Sequence, residues 1–253
     1  MSELELLALR FEAPLMSFGG VTVDEHNVTA AFPGKSLLTG LLANALGYRH
    51  GDADRLSRLQ DRLRMGARRD RKGVRLVDYQ TVDLGQDFLR QGWTTRGVPE
   101  GREGGSAKTG THIRHRHYWA DAVFTVVLRL EPADETPTLA ECATALAEPE
   151  RPLFLGRKTC LPSGPVLIEI LRAPSIRDAL ALAAPAGRRE EGGGSYVAWW
   201  PREDEPAPPP GQGRLVPVFD ERDWLNQIHA GRRFVWEGRV EARDIGGGGD
   251  HDA

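Results

Sequence analysis

Between residues 4 and 171 the chain lays out strand, helix, strand, strand, helix, strand, an order that predicts an α+β fold of the ferredoxin-like (RRM-like) βαββαβ kind. Three stretches carry the prediction. Leu4 to Phe11 alternates in polarity and reads as an opening strand. Phe32 to Gly47, FPGKSLLTGLLANALG, sets Leu37, Leu38, Leu41, Leu42, Ala45 and Leu46 at helical spacing, a stripe for a neighbouring sheet to cover. Tyr118 to Leu130, rich in Val and Phe, has the composition of a buried strand.

The remaining elements follow in order. Pro14 and the Gly19-Gly20 pair end the opening strand and let the backbone turn sharply. Val21 to Ala31 is irregular, and a short helix spans Asp54 to Leu63. Met65 to Asp70 and Val74 to Val82 are strand candidates around an Arg71-Lys72-Gly73 turn. Residues 83 to 113 are glycine-rich and poor in apolar side chains, so they read as an exposed insertion between the middle strands. Thr138 to Ala147 carries Leu139, Cys142, Ala143 and Leu146 on one helical face; PLFLGRKTC then makes a tight turn at Gly156, and Pro165 to Leu171 is a strand. A short helix near Ser175 to Ala183, strands at Tyr196 to Trp200, Arg214 to Phe219 and Arg232 to Glu241, and a disordered GGGGDHDA tail complete the chain.

With 253 residues, 40% hydrophobic and 27% charged, the composition is that of a globular protein with a real core. Cys142 and Cys160 are the only cysteines, too few for a disulfide framework, and the N-terminal SELELLALRF lacks the basic flank and apolar length of a signal or membrane helix. A cytoplasmic protein is expected. The net charge of −3 argues against a free-standing nucleic-acid binder. Its distribution is uneven: Arg55, Arg58, Arg62, Arg64, Arg68, Arg69, Arg71, Lys72 and Arg75 form a basic track, which suits either a phosphate-gripping subunit of a larger assembly or a salt-bridged surface helix with Asp52, Asp54 and Asp61.

Lys35 opens the Phe32 to Gly47 helix, where the dipole disfavours a cation; a phosphate held by Lys35, Ser36 and backbone N–H groups accounts for that placement. Gly34-Lys35-Ser36 also looks like the end of a Walker A loop, but Thr29 stands where that loop needs its first glycine, which sets a nucleotide site aside. Arg157 and Lys158 after Gly156 make a second phosphate candidate, since glycine permits close backbone approach. His112, Arg114, His115, Arg116, His117 and Tyr118 form a third cluster. As a strand, it puts His115 and His117 on one face and Arg114 and Arg116 on the other. No carboxylate or cysteine accompanies these histidines at ligand spacing, so no metal is expected.

Four signatures occur in one order: PLMSFGG after the first strand, FPGKSLLTGLLANALG, RHYWADAVFTV and PLFLGRKTCLP, with RRFVWEGRV near the end. Together they resemble the CasD family of Cascade subunits, the type I-E branch of the CRISPR-associated RAMP superfamily. The resemblance implies a ferredoxin-like palm over residues 1–82 and 114–172, an inserted flexible thumb over 83–113, and a small β-containing C-terminal region over 173–253. It further implies no catalysis, no cofactor and no metal. The implied role is to hold the 5′ handle of CRISPR RNA within a surveillance complex, beside backbone RAMP subunits and the large subunit, with target DNA met through the complex and no membrane involved. The RNA-binding set so implied is Ser17, Phe18, Gly19, Lys35, Ser36, Arg114, His115, Arg116, Gly156, Arg157 and Lys158. The family's glutamine and tryptophan before the first glycine turn stand here as Met16 and Phe18, its arginine upstream of the helix as Asn27, and its Pro-Thr as Pro33-Gly34. Phe18 keeps a stacking face.

Two other readings use the same residues. A relative in the superfamily cuts CRISPR RNA, and His115 or His117, Tyr118 and Lys35 are the groups a metal-independent endoribonuclease would need here. A scaffold that touches no RNA also fits the near-neutral charge.

Overall fold

The computed structural model describes residues 3–20, 24–83, 91–93, 99–101, 111–186, 194–203 and 207–242. Most of the 83–113 insertion and the glycine-rich tail therefore lie outside the described residues. What is described is α+β and mostly antiparallel.

The main sheet has seven strands. Towards one edge β1 (Leu4–Glu12) pairs with β9 (Val123–Leu130), with β10 (Leu167–Ala173) beside β1 at the edge and β4 (Leu63–Arg71) beside β9 in the middle, every pairing antiparallel. In chain order these four are the first, third, fourth and second strands. The helices α1 (Lys35–Ala45) and α2 (Ala53–Arg62) fall between β1 and β4, and α3 (Leu139–Ala147) falls between β9 and β10. The region from 173 onward, set apart in the sequence, joins this sheet rather than standing beside it. Its strands β11 (Ser195–Pro201), β15 (Arg233–Glu241) and β12 (Gly213–Val218) continue outward from β4 in that order.

Strand periodicity explains how the sheet is held. Leu7, Leu9 and Phe11 of β1 and Phe124, Val126, Leu128 and Leu130 of β9 face a core shared with Leu38, Leu41 and Leu42 of α1, Leu56 and Leu59 of α2, and Cys142 and Leu146 of α3. The alternate residues Leu6, Ala8 and Val127 face a second core with Trp200 and with Ile176, Ala179 and Leu180 of α4 (Ile176–Leu182). Because both faces are covered, all eight residues of β9 are buried. Local caps set the later helices: Thr138 and Glu141 make a reciprocal capping box on α3, and the Ser175 hydroxyl accepts from the Asp178 N–H on α4. Both cysteines are free and buried, and burial pushes the Cys142 thiol up to about 12.

The predicted single strand Tyr118 to Leu130 is two. β8 (Thr111–Ala120) ends at Asp121, whose φ of 55° turns the chain out of one sheet and into β9 of the other. Arg71 fastens the corner, donating to the Asp121 carbonyl and carboxylate at 2.7 Å each. Composition registered only the shared apolar character of the two strands. Likewise Val74 to Val82 does not join the main sheet: β5 (Val74–Asp83) pairs along its whole length with β8, from Val74↔Ala120 to Asp83↔Thr111. On the other edge of β8 sit β2 (Leu15–Met16), antiparallel, and β3 (His26–Asn27), parallel, a strand the sequence left as irregular chain. Two short ribbons remain, β6 (Gln91–Trp93) with β7 (Pro99–Gly101), and β13 (Glu221–Asp223) with β14 (Ile228–Ala230). Among the described residues no helix is long and apolar enough to cross a membrane.

Candidate nucleic-acid interface

Two glycine-bearing turns, remote in sequence, touch. The turn after β1 gives the Ser17 N–H to the Leu155 carbonyl at 3.2 Å, and Gly156 lies so close that a Cβ built on it would stand 1.6 Å from the Ser17 carbonyl oxygen. With φ at +110° as well, position 156 admits no side chain. Each turn is braced from behind. The Phe18 N–H donates to the Thr29 hydroxyl at 2.9 Å, the Ala30 N–H to the Gly19 carbonyl at 2.8 Å, and the Cys160 N–H to the Arg157 carbonyl at 2.8 Å.

The pair of turns forms one wall of a groove of about 920 Å³. Ser17, Phe18, Gly19, Gly156 and Arg157 line that wall, Ser36, Leu37 and Gly40 of α1 line another, and Arg222, Gln227 and His229 of the β13–β14 ribbon close the far side, with His50 and Asn44 at one end. Its lining includes two arginines, two histidines and no aspartate or glutamate among the described residues, on a chain with 36 acids and 33 lysines and arginines. Arg157 is half-buried and aimed: it donates to the His117 carbonyl at 3.1 Å and the Asn27 carbonyl at 2.9 Å, and its guanidinium lies 4.6 Å from the Tyr118 ring centre. Carbonyls and an aromatic face orient this cation without cancelling its charge.

Lys35 behaves oppositely. It is buried, and its ammonium donates to Glu221 at 2.7 Å. The anion at the start of α1 is also internal: the Lys35 N–H donates to the Asp220 carboxylate at 2.9 Å and the Ser36 N–H to the Asp220 carbonyl at 2.8 Å. A Cβ on Gly34 would sit 2.8 Å from the Asp220 Cβ, so the bare glycine is what lets that aspartate reach the helix end. Burial pushes the Asp220 carboxyl up, but Arg233, bonded to both of its oxygens, outweighs that together with the Lys35 backbone bond and ammonium, and holds it below the usual carboxylate range. The anion that the start of α1 calls for is therefore supplied from within, by the chain's own Asp220. Lys35 lines a different hollow, with Asp61, Arg64 and Arg233, while its neighbour Ser36 lines the groove.

The remaining predicted positions divide further. Phe18 is buried, edge-on to Phe124 at 5.1 Å and 6.5 Å from Phe11, so its ring packs the core instead of offering a base a face to stack on. Lys158 is exposed beside Arg157. Arg114, His115 and Arg116 lie on β8, adjoining the groove through the bonds from Arg157 to His117 and Asn27. His115 and His117 do share a face, as strand geometry requires, and His26 joins them, stacked on His115 with ring centres 4.6 Å apart and 5.8 Å from His117. Burial, then the charges of His26, Arg75, His115 and Arg157, lower the pKa of His117 below its ordinary value. Glu25 brings the carboxylate that the spacing on β8 lacked, with donor atoms of Glu25, His26 and His115 all within 4.8 Å of one another.

The basic track does not form a surface stripe. Arg68 is fully buried, bonded to Asp70, to the Thr125 hydroxyl and to the carbonyls of Leu180 and Ala183 at the end of α4. Arg62 is buried against the carbonyls of Pro132, Glu135 and Pro137. Arg58 and Arg64 pair with Glu135 and Glu131, Arg71 fastens the Asp121 corner, and Arg75 lies over Trp119 at 4.6 Å. Most of these charges hold the fold together.

A family model described as CRISPR-associated protein (Cas_Cas5) matches residues 6–236. The chain belongs to the CRISPR-associated Cas5 family. Within known proteins it is 30% identical over 182 residues to the CRISPR system Cascade subunit CasD of Escherichia coli (strain K12), covering 72% of this chain and 78% of that protein. A chain of a solved CRISPR RNA-guided surveillance complex superposes with a TM-score of 0.64 at 28% identity, over 94% of this chain and 91% of that one. A second solved Cas protein superposes with a TM-score of 0.58 at 26% identity, over 94% and 95%.

For this Cas5-family chain, sequence reasoning missed His50, Arg222, Gln227 and His229, and reached Asn27 only as the position of the family's arginine. His229 carries no local signal, lying on a late hairpin. Only the tertiary fold carries the β13–β14 ribbon back over α1 and α2, where Gln60 of α2 exchanges hydrogen bonds with the Arg222 backbone at 3.0 Å in both directions and also accepts from the Trp224 indole at 3.2 Å.

Proposed function

We propose that this chain is the guide-holding subunit of a type I-E Cascade surveillance complex, seating the 5′ handle of CRISPR RNA in the groove between the two glycine turns and the β13–β14 ribbon. The observation that carries the reading is the charge of that groove: a carboxylate-free lining with two arginines and two histidines on a net-negative chain. Such a seat recognises backbone and shape, which suffices where base pairing reads sequence. Arg157, Ser36, the backbone of Ser17 and Gly19, and Arg222 form its centre, with Arg114, His115, Arg116 and Lys158 extending it. The strand order β10-β1-β9-β4, with α1, α2 and α3 packed on one face, supports the ferredoxin-like palm. A thumb over 83–113 belongs to the same reading, supported by the pairing of β5 with β8, the two strands that lead into and out of that segment. The exposed Val74, Val77, Tyr79 and Val82 on β5 supply apolar surface for the neighbouring RAMP subunits and the large subunit, through which target DNA is reached. A cytoplasmic location belongs to the same reading.

A non-catalytic role is supported by the scattering of the nuclease candidates. Lys35 is tied to Glu221 in another hollow, and Tyr118 is buried beneath Arg157. The test is binding of a 5′-handle RNA across a salt series, with EDTA present. Affinity falling linearly on a log–log plot, with the RNA intact, is the expected result. A flat salt response removes the phosphate seat, and cleavage lost in His117→Ala removes the non-catalytic role.

A further inference from the structure

The parallel pairing of β3 with β8 sets His26 opposite His115 and locks the preceding turn, whose Glu25 carbonyl accepts the His115 N–H at 2.9 Å. His26 Nε2 stands 3.7 Å from the Glu25 carboxylate, and the two side chains are 47% and 46% exposed. His115, anchored mid-strand, has a buried Nδ1 with no hydrogen-bond partner among the described residues, and the Nε2 of His117 on the same face is in the same condition. Leaving two imidazole nitrogens buried and unbonded is costly, and such orphans call for a missing partner.

We infer that Glu25, His26 and His115 form a site for a divalent transition ion of the zinc class, open to a fourth ligand from solvent or from His117. Two imidazoles and one carboxylate are a borderline donor set suited to Zn²⁺ or Co²⁺, with a position left over. Ligand atoms around such an ion lie about 4 Å apart or closer. The observed 4.8 Å limit closes by rotation of the exposed Glu25 and His26 side chains toward fixed His115, which also turns the stacked His26 ring edge-on. Glu25 offsets part of the added charge. The occupied site would pin the 24–27 segment, and with it the Asn27 carbonyl that orients Arg157, to β8.

The site requires no RNA, so its failure leaves the guide-holding reading untouched. Tag-free protein stripped with chelator is titrated with Co²⁺, followed by visible absorption and by Zn²⁺ competition. Expected are one Co²⁺ per chain with ligand-field bands, displacement by Zn²⁺, affinity weakened in His26→Ala and Glu25→Gln by more than the roughly 10–100-fold that loss of an outer-shell partner costs, and no bands in His115→Ala. His112→Ala, on the same strand outside the cluster, should bind as the parent does. Absence of bands in the parent, or bands unchanged in His26→Ala, which is exposed on the short strand β3 and lies outside the core, overturns the inference.

Discussion

The start of α1 and the Gly156 turn carry the same chemistry and end in opposite states. Each combines a glycine, a cation and backbone N–H groups, the ingredients of an anion site. At α1 the anion is built in: Asp220 takes the Lys35 and Ser36 N–H groups, Arg233 grips both carboxylate oxygens, and Glu221 takes the Lys35 ammonium. At the Gly156 turn Arg157 meets only carbonyls and a tyrosine ring, so its charge remains available to the groove. The lesson is that an anion-binding motif defines a demand, and the tertiary fold decides whether the chain or a ligand meets it.

Substitutions that remove the internal anion should cost stability, and those at the open turn should cost RNA binding. The largest effect is expected for Asp220→Ala, which leaves the Arg233 guanidinium and the Lys35 backbone N–H without their partner: thermal or urea unfolding should show a loss of about 3 kcal/mol. Gly156→Ala should follow, since the new Cβ meets the Ser17 carbonyl. About 1–3 kcal/mol of stability and roughly tenfold or more in RNA affinity should go together; an unchanged affinity would mean that the two turns are not a joint wall. Arg157→Ala should leave stability nearly intact while lowering the log–log salt slope of RNA binding by about one. Lys35→Met is its mirror: about 1 kcal/mol less stable with RNA affinity unchanged, and a reversal of that pattern would return Lys35 to the RNA-contacting set.

The smallest effect is in pH. The Asp220 carboxyl is depressed in the folded chain, so its contribution is complete above the ordinary aspartate range and is lost as pH falls through the lower, folded value. Hydrogen exchange at the Lys35 and Ser36 amides should speed up in that acid window, while the 155–160 turn, which contains no carboxylate, should keep its protection. Equal loosening at both places would erase the distinction.

Much of the fold was legible beforehand because it is periodic. The helical stripe in α1 follows from burying one face and holds in the structure, whereas Leu4 to Phe11 is the strand its sequence predicts but buries both faces, Leu6 to Leu9 consecutively. The break at Asp121 was hidden because apolar residues run on both sides of it. Arg68 was misjudged because a buried arginine and a surface one are spelled alike. Its guanidinium is satisfied by Asp70, Thr125 and two α4 carbonyls that are remote in sequence or folded back locally. Of the candidate site, the two glycine turns were legible, since glycine at a close approach leaves a local mark, while the β13–β14 wall was not.

The sequence alone determined the longer elements of the main sheet and its helices, the two glycine turns and the cations beside them, because backbone preference and hydrophobic period act over a few residues. Only the tertiary structure decided which cation is cancelled, which is exposed, and that Glu25 and His26 come to lie against His115. Those outcomes depend on pairing between distant segments, where electrostatic compensation is set by position in space rather than by order along the chain.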